Sequence, residues 1–189
     1  MSETHSSGTT KRSTSRRELL SSVISIDLPA QERQQIFNRP PESNVDDIKV
    51  ESRVETLSKW QAKWEADVRG RWTAHLIPQI KTWIERKHGE VNFYITQFLS
   101  GHGYFRSYLY KMGKTSNPFF QMCAAQEDTP EHTFFNCLGT EAERRRVFSI
   151  VGIFSAATAI EKMIESEENW TAIALFIEST LRTKRRAHR

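Results

Sequence analysis

Residues 57–70, LSKWQAKWEADVRG, decide the fold class that we predict for this chain. The apolar side chains in this stretch recur every three or four residues, the spacing of one face of an α-helix, and Gly70 is a typical helix terminator. The residues on this face are Leu57, Trp60, Trp64 and Val68. The rest of the sequence contains no convincing alternating strand pattern and no internal repeat. We therefore predict a mostly α protein, built as a small multi-helix domain.

Helix start and stop signals continue towards the C-terminus. Pro78 suits the first turn of a second helix, which is predicted to end at Gly89. Asn92 is a suitable N-cap for a third helix, and Gly101 is a suitable terminator for it. A fourth helical segment, YFRSYLYK, follows at 104–111. Three later helices are predicted to begin after residues that cap helices well, namely Thr140, Thr158 and Ser166.

The last of these helices has a predicted apolar face and a basic end. RTKRRAHR, at 182–189, places several cations at its C-terminus, where they suit the helix dipole. The side chains predicted to point inward are Trp170, Ile173, Ile177 and Leu181.

The N-terminal part of the sequence predicts less structure. Residues 1–17 are rich in Ser, Thr, Lys and Arg and predict a disordered basic tail. Residues 18–54 predict one short element, a helix or a strand, and then a linker over 38–50, because paired prolines stop a helix. Asp46 and Asp47 resemble a polymerase metal-binding pair, but their polar flanks predict solvated linker charges. The helical domain is predicted to span 55–189.

Composition and charge limit the functional classes. The chain has 189 residues, a formal net charge of +4 and a pI of about 9.2, a mild basic excess that permits nucleic-acid binding. No stretch has the roughly 18 apolar residues of a membrane span, and the polar N-terminus lacks a signal-peptide core. We expect an intracellular protein without a membrane partner. Its two cysteines are then free thiols or metal ligands rather than a disulfide.

Both cysteines lie with one histidine in CAAQEDTPEHTFFNC, residues 123–137, as Cys123, His132 and Cys137. Zinc prefers four tetrahedral ligands, and the position at which a Cys-x-x-Cys pair would place the fourth is Phe120. The sequence leaves two interpretations open: a zinc site with three protein ligands, or a helical turn with two ordinary buried thiols. In the first interpretation, the fourth ligand is water or one of Asp128, Glu127, His102 and His88.

The same stretch gives no support for catalysis. Three protein ligands and one water would be a catalytic type of zinc shell. However, no general base or nucleophile can be named beside these ligands, and His102, between two glycines, is interpreted as a turn histidine. We therefore predict no catalytic residue and no small-molecule substrate for this chain.

A second candidate site is a basic and aromatic surface. Aromatic residues at helical spacing usually belong to a core, but basic side chains beside them are also typical of RNA and single-strand binding surfaces. The composition leaves both interpretations open. The candidate stacking residues are Tyr104, Phe105 and Tyr108. The candidate cations are Arg69, Arg71, Lys81, Arg86, Lys87, Arg106, Lys111 and Lys114, with Arg144, Arg145 and Arg146 behind them.

One order of motifs is specific enough to indicate a family. GRWTAHLIPQIKTWIERKHGEVNFYITQFLSGHGYFRSYLYKMG, at 70–113, is followed by EDTPEHTFFNC at 127–137, AERRR at 142–146 and MIESEENW at 163–170. Over about residues 55–186, the chain resembles the C-terminal region of the Pol polyprotein, or reverse transcriptase protein, of insect type-I non-LTR retrotransposable elements that insert into ribosomal RNA genes.

The resemblance implies a role and a ligand pattern. The parent polyprotein has an endonuclease and an RNA-directed DNA polymerase, and the region resembled here follows the polymerase and includes a zinc-knuckle-like pattern. Cys123, His132 and Cys137 match the second cysteine, the histidine and the last cysteine of that pattern, whereas the first cysteine falls on Phe120. Leu138 stands where the family often has proline. The implied partners are RNA or DNA and the parent polymerase region, in the nucleus.

The resemblance also leaves an alternative. At this length we expect neither the polymerase nor the endonuclease in the chain, and hence no enzymatic activity. The chain is then either a nucleic-acid-binding fragment of the polyprotein or a degenerate or captured copy that acts as a helical protein-interaction module. The cysteine missing at Phe120 favours the second hypothesis, and the basic residues favour the first.

Overall fold

A computed structural model of the chain describes residues 27–38, 44–120 and 123–187. The predicted basic tail, 1–17, and residues 18–26 of the element predicted within 18–37 lie outside these residues. Helices dominate the described part, which confirms the predicted fold class, and its strands form one short hairpin.

Two helices, α1 (Asp27–Phe37) and α2 (Val45–Ala66), pack against each other at the N-terminal side. Asn44 caps α2, since its side-chain oxygen accepts a hydrogen bond from the backbone N–H of Asp46 at 3.1 Å. The helix therefore begins inside the stretch predicted as a linker, because a good N-cap restarts it soon after the prolines. Asp46 is exposed, as predicted, but it lies in the first turn of a helix, where a negative charge suits the dipole.

The second half of α2 contains most of the stretch 57–70 from which the helical fold was predicted. Trp60 and Trp64 are buried, and the Trp64 indole N–H donates to the carbonyl oxygen of Ile77 at 3.0 Å. The inward position predicted for Val68 is wrong. The helix ends at Ala66, the backbone turns extended at the next residue, and Val68 is 82% exposed.

Four short helices follow, namely α3 (Arg71–Leu76), α4 (Ile80–Ile84), α5 (Phe93–Ser100) and α6 (Arg106–Lys111). Both predicted ends of α5 are confirmed. Asn92 accepts hydrogen bonds from two backbone N–H groups at 3.0 Å, and Gly101 ends the helix with a φ of 67°. The end of α4 comes before the predicted Gly89, because Arg86 donates to the Trp83 carbonyl at 2.6 Å and satisfies the helix end.

A two-stranded antiparallel sheet and a π-helical turn follow α6. The strands are β1 (Phe119–Phe120) and β2 (Cys123–Glu127), with Phe120 directly opposite Cys123 and an irregularity between the two residues of β1. The π-helical turn spans His132–Asn136, and a short 3₁₀ turn continues from it at Leu138–Thr140. This hairpin was not predicted from the sequence.

Three helices complete the fold, namely α7 (Glu141–Val151), α8 (Ala159–Glu165) and α9 (Glu167–Ala187). Ser166 caps α9, since its hydroxyl oxygen accepts a hydrogen bond from the backbone N–H of Asn169 at 3.1 Å, as predicted. Thr140 precedes α7 as predicted but does not cap it. Its hydroxyl instead donates to the Thr133 carbonyl at 2.7 Å.

The core lies beneath α9, which packs against α8, α7 and α5. All four residues predicted to point inward from α9 are buried, which confirms that prediction. The rings of Trp83 and Trp170 lie 6.1 Å apart, between the N-terminal and C-terminal helices. Gly89 lets the chain pass over Trp170. Its φ is 92°, and a Cβ there would lie 2.3 Å from the Trp170 ring.

Taken singly, none of the helices in the described ranges is both long and apolar enough to cross a membrane. The segments Leu138–Val151 and Ala156–Glu165 meet that test only as a pair, bent by 41°.

Candidate metal centre and cationic surface

Cys123, His132 and Cys137 come together in space. One ligand atom from each, the two Sγ atoms and an imidazole nitrogen, lie within 4.8 Å of one another. Cys123 begins β2, His132 begins the π-helical turn, and Cys137 follows that turn. His132 and Cys137 are buried, whereas Cys123 is half-buried. This arrangement can hold a metal ion, so that part of the cofactor prediction is confirmed.

The π-helical turn explains the spacing of two ligands. The backbone N–H of Cys137 donates to the carbonyl of His132, five residues earlier, at 2.7 Å. The wider turn brings the side chains of His132 and Cys137 to the same side of the chain. A regular α-helix would place residues five apart about 140° from each other around its axis.

The pKa shifts in the cluster suit a metal ligand set. Burial lowers the pKa of the His132 imidazole below its usual value, which favours the neutral form that binds metals. Burial, with a smaller contribution from neighbouring Cys123, raises the pKa of the Cys137 thiol. The neighbouring Cys123 sulfur therefore disfavours ionisation of Cys137, and a divalent cation between the two sulfurs would reverse that preference.

Arg144 holds the Cys137 end of the cluster in place. Its guanidinium donates to the Cys137 carbonyl at 3.1 Å and to the Thr140 hydroxyl at 3.2 Å. Arg144 was predicted to bind nucleic acid. In the structure its guanidinium instead forms hydrogen bonds that hold the backbone at Cys137, beside the cluster.

A buried ion pair secures the same region from α9. Lys184 is 3% exposed and Asp128 is fully buried, and the Lys184 ammonium bonds to the Asp128 carboxylate. That carboxylate also accepts the backbone N–H of Arg106 and the hydroxyl of Thr133, each at 2.8 Å. The network joins α6, the end of β2, the π-helical turn and α9.

Sequence reasoning missed this ion pair, although a signal for Lys184 was present. The buried residues of α9 recur at helical spacing, and Lys184 lies three residues after Leu181 on the same face. A lysine that continues an apolar stripe needs a buried anion as its partner. The sequence did not identify Asp128 as that anion.

None of the acidic or histidine residues considered as a fourth ligand joins the cluster within the described part of the chain. Asp128 is held by the buried network. His88 lies against the Met163 carbonyl at 3.4 Å, and the ring of His102 stacks on Tyr108 at 4.3 Å. The hairpin places position 120 opposite Cys123, so a cysteine there would stand beside the cluster.

The predicted basic residues have different environments. Several hold structural contacts: Arg86 lies 4.0 Å over the Trp83 ring, Arg69 pairs with Asp67, and Arg145 pairs with Glu141. The guanidinium of Arg106 donates to Asn117 at 3.3 Å. The remaining predicted cations are exposed and form no ion pair within the described ranges: Arg71, Lys81, Lys87, Lys111, Lys114 and Arg146.

The predicted aromatic surface is partly wrong. Phe105 is fully buried and packs edge-on against Phe134, with centroids 6.1 Å apart, so it offers no face for stacking. Tyr104 is half-buried against Phe93, and Tyr108 is half-buried beneath the exposed ring of His102. A further basic group lies at the end of α9, around Tyr94, and was not predicted, because cations at a helix C-terminus are also explained by the helix dipole. It consists of Arg182, Arg185 and Arg186.

Comparison with known proteins relates the chain to retrotransposon polyproteins. It is 28% identical over 81 residues to the "Retrovirus-related Pol polyprotein from type-1 retrotransposable element R1" of Bradysia coprophila, covering 43% of this chain and 8% of that protein. It is 24% identical over 123 residues to the R1 Pol polyprotein of Popillia japonica, covering 65% of this chain and 48% of that protein. An R1 Pol polyprotein of Nasonia vitripennis is 25% identical over 133 residues, 67% of this chain and 32% of that protein.

These similarities support a relation to R1 Pol polyproteins, of which the chain spans less than half the length in each case. No family model matches the chain. No solved structure matches it either.

Proposed function

We propose that the chain is a nucleic-acid-binding fragment from the C-terminal region of the Pol polyprotein of an R1-type element, an element that inserts into ribosomal RNA genes. In the parent protein it would grip template RNA or target DNA beside the polymerase, in the nucleus, and would not itself catalyse polymerisation or cleavage. Its partners are therefore a nucleic acid and the polymerase region.

The observation that most supports this proposal is the set of exposed cations without carboxylate partners in the described residues. An exposed cation without an internal partner is available to a phosphate, and release of counterions from the nucleic acid then favours binding. These side chains come from several helices and loops, among them Arg71 on α3, Lys81 on α4 and Lys111 on α6. The relation to Pol polyproteins of a retrotransposable element supports the same role.

We further propose that the Cys/His cluster holds zinc. Two thiolates and a neutral imidazole are ligands that zinc prefers, and zinc accepts a water in the fourth position. When bound, the ion would link the start of β2 to the π-helical turn. Cys123, His132 and Cys137 would hold it, and Arg144 would orient the backbone of Cys137.

Salt dependence tests the binding proposal. Affinity of the full chain for a labelled single-stranded RNA or DNA is measured by fluorescence anisotropy between 50 and 200 mM salt, and a steep, log-linear loss of affinity is expected. The double variant Lys81→Gln/Lys87→Gln should reduce the slope, whereas Lys162→Gln, which removes a lysine paired with Glu165, should not. A flat titration by a folded protein would reject this function and support the alternative, a helical protein-interaction module.

Metal content tests the zinc proposal. Purified protein is exchanged into buffer with one equivalent of zinc, and the metal retained is measured by mass spectrometry against a competing chelator. The wild type should hold one zinc per chain but release it more readily than Phe120→Cys, because the variant places a fourth sulfur opposite Cys123. Cys137→Ser should hold none. If the wild type and Cys137→Ser retain the same amount of metal, the cluster is not a zinc site.

A further inference from the structure

A cleft of about 540 Å³ lies between α3, the loop that follows α5, α6 and the segment that follows β2. This volume is in the usual range for sites that hold one small ligand or one nucleotide. The cleft lies outside the Cys/His cluster, and neither the zinc proposal nor the buried ion pair uses it. Arg71, Trp72 and His75 line one side, and His102, Tyr108 and Lys111 line another.

The charge of the cleft favours an anion. Arg71 and Lys111 come from different helices, both are exposed, and neither forms an ion pair in the part of the chain that the structure describes. Glu131, also exposed, is the carboxylate among the lining residues. Two cations against one carboxylate leave the cleft positive. Two unpaired cations that converge on one concavity suit a phosphate, to which both can donate.

The aromatic side chains favour a flat ring beside that phosphate. The rings of His102 and Tyr108 are nearly parallel, with an interplanar angle of 23° and centroids 4.3 Å apart, so they form a two-ring platform at the cleft. The Trp72 indole N–H donates to the Phe98 carbonyl, which fixes the orientation of that ring. Nucleobases stack on such platforms without regard to sequence, because every base has a π face.

The loop that presents His102 is held in shape before any ligand arrives. Gly101 has a φ of 67°, and a Cβ there would lie 3.2 Å from both Trp72 and Pro130, two residues that line the cleft. The Ser100 hydroxyl accepts the His102 backbone N–H at 3.2 Å. A site formed in advance loses less conformational entropy on binding.

From these features we infer that the cleft binds one unpaired nucleotide of a single-stranded nucleic acid, with its base on the His102–Tyr108 platform and its phosphate between Arg71 and Lys111. The inference rests on the proposed nucleic-acid binding and specifies its site and its preference. A paired base inside a duplex cannot enter a concave cleft without leaving its stack, whereas an unpaired base can. The chain should therefore prefer single strands to duplexes of the same length.

The test separates base stacking from charge, because an abasic strand carries the same phosphates as the normal strand. Anisotropy is measured for the full chain with a labelled single-stranded oligonucleotide, with a duplex of the same length, and with an abasic strand that keeps every phosphate. The wild type should bind the normal strand about tenfold more tightly than the abasic strand, since stacking of one base contributes roughly this factor. Equal affinity for the normal and abasic strands would overturn the inference.

Variants of the cleft residues test base stacking and phosphate contact separately. Tyr108→Leu and His102→Ala should each weaken single-strand binding several-fold without changing the salt slope, and Tyr108→Phe should bind like the wild type. Arg71→Gln/Lys111→Gln should lower the magnitude of the salt slope by about 0.7, because the two side chains contact one phosphate and each phosphate neutralised in a single strand contributes about 0.7. Lys162→Gln is the control, since Lys162 pairs with Glu165 and does not line the cleft, and it should change neither the salt slope nor the preference for normal over abasic strands.

The outcomes separate this inference from the function on which it rests. If Tyr108→Leu and His102→Ala both fold, as judged by circular dichroism, and bind like the wild type, the cleft is not the base site even though a steep salt slope would keep the proposed function. If the wild type binds no strand at any salt concentration, both proposals fail.

Discussion

Replacement of Lys184 by methionine removes the positive half of the buried ion pair and keeps most of the side-chain volume. Loss of one partner of such a pair costs about 3–5 kcal/mol, because the remaining charge stays buried. The Asp128 carboxylate still accepts the Arg106 N–H and the Thr133 hydroxyl, each at 2.8 Å. We therefore expect Lys184→Met to lower the free energy of unfolding by about 3 kcal/mol, the lower end of that range.

Asp128→Asn tests the opposite half. Lys184 then keeps a contact to the Thr133 hydroxyl at 3.4 Å but loses the carboxylate that balances its charge. The folded variant can avoid a buried charge if the Lys184 ammonium releases its proton. Neutralising a lysine with an ordinary pKa near 10.4 costs about 4.6 kcal/mol at pH 7, at about 1.4 kcal/mol per pH unit. The double variant Asp128→Asn/Lys184→Met has no buried charge. It should be more stable than the sum of the single changes predicts, by about 2 kcal/mol.

Urea unfolding followed by tryptophan fluorescence measures these differences, since the chain has five tryptophans. A loss of about 3 kcal/mol in a chain of this size lowers the melting temperature by roughly 6–12 °C. Strict additivity of the two single changes, or a cost below about 0.5 kcal/mol for Lys184→Met, would contradict a buried pair and would match an exposed one.

The same pair predicts the direction of a pH effect. Burial lowers the pKa of the Lys184 ammonium below its usual value, against the raising effect of Asp128. At pH values between the lowered pKa of Lys184 in the folded chain and its ordinary pKa in the unfolded chain, the unfolded chain binds more protons than the folded chain. The free energy of unfolding should therefore rise with pH in that range. The difference in the free energy of unfolding between the wild type and Lys184→Met, measured as a function of pH, isolates the contribution of Lys184 from that of the thiols. A difference that does not change with pH would contradict the lowered pKa.

Three further predictions concern the fold and the metal centre. Gly89→Ala should destabilise the protein by several kcal/mol more than Gly113→Ala in a thermal melt, since both have positive φ but only the first Cβ would meet the Trp170 ring, at 2.3 Å. Equal melting temperatures would contradict that contact. Asn92→Ala should cost about 1 kcal/mol in urea unfolding, the usual effect of losing an N-cap that accepts two N–H groups. Zinc affinity, measured by chelator competition, should rise with pH through the thiol range, because burial raises the pKa of Cys137 and each thiol must lose its proton to bind.

Local signals predicted the parts of the fold that depend on local physics. The two ends of α5 follow from one capping asparagine and one glycine that adopts a left-handed conformation. The inward face of α9 follows from helical spacing, and its start follows from Ser166. In each case the residues that decide the structure lie within a few positions of one another.

Features that depend on long-range contacts could not be predicted in this way. The hairpin at Phe119–Glu127 has strands of two and five residues, too short for an alternating pattern to be recognised. Phe105 lies beside basic and aromatic neighbours that suit a surface, and its contact with Phe134, 29 positions later, buries it. The partner of Lys184 lies 56 residues away, so its identity is a property of the tertiary structure.

For the Cys/His cluster, the sequence identified the ligands and their spacing but not what holds them. The cluster and the buried ion pair secure the same segment: the metal ligands join the start of β2 to the π-helical turn, and Asp128 joins the end of β2 to that turn and to α9. Because two sets of contacts secure one segment, the absence of a fourth cysteine at Phe120 affects the candidate metal cluster and leaves the ion pair in place. We therefore infer that the hairpin can keep its geometry with three ligands, and that the proposed binding of nucleic acid at the neighbouring cleft would not require a complete zinc knuckle.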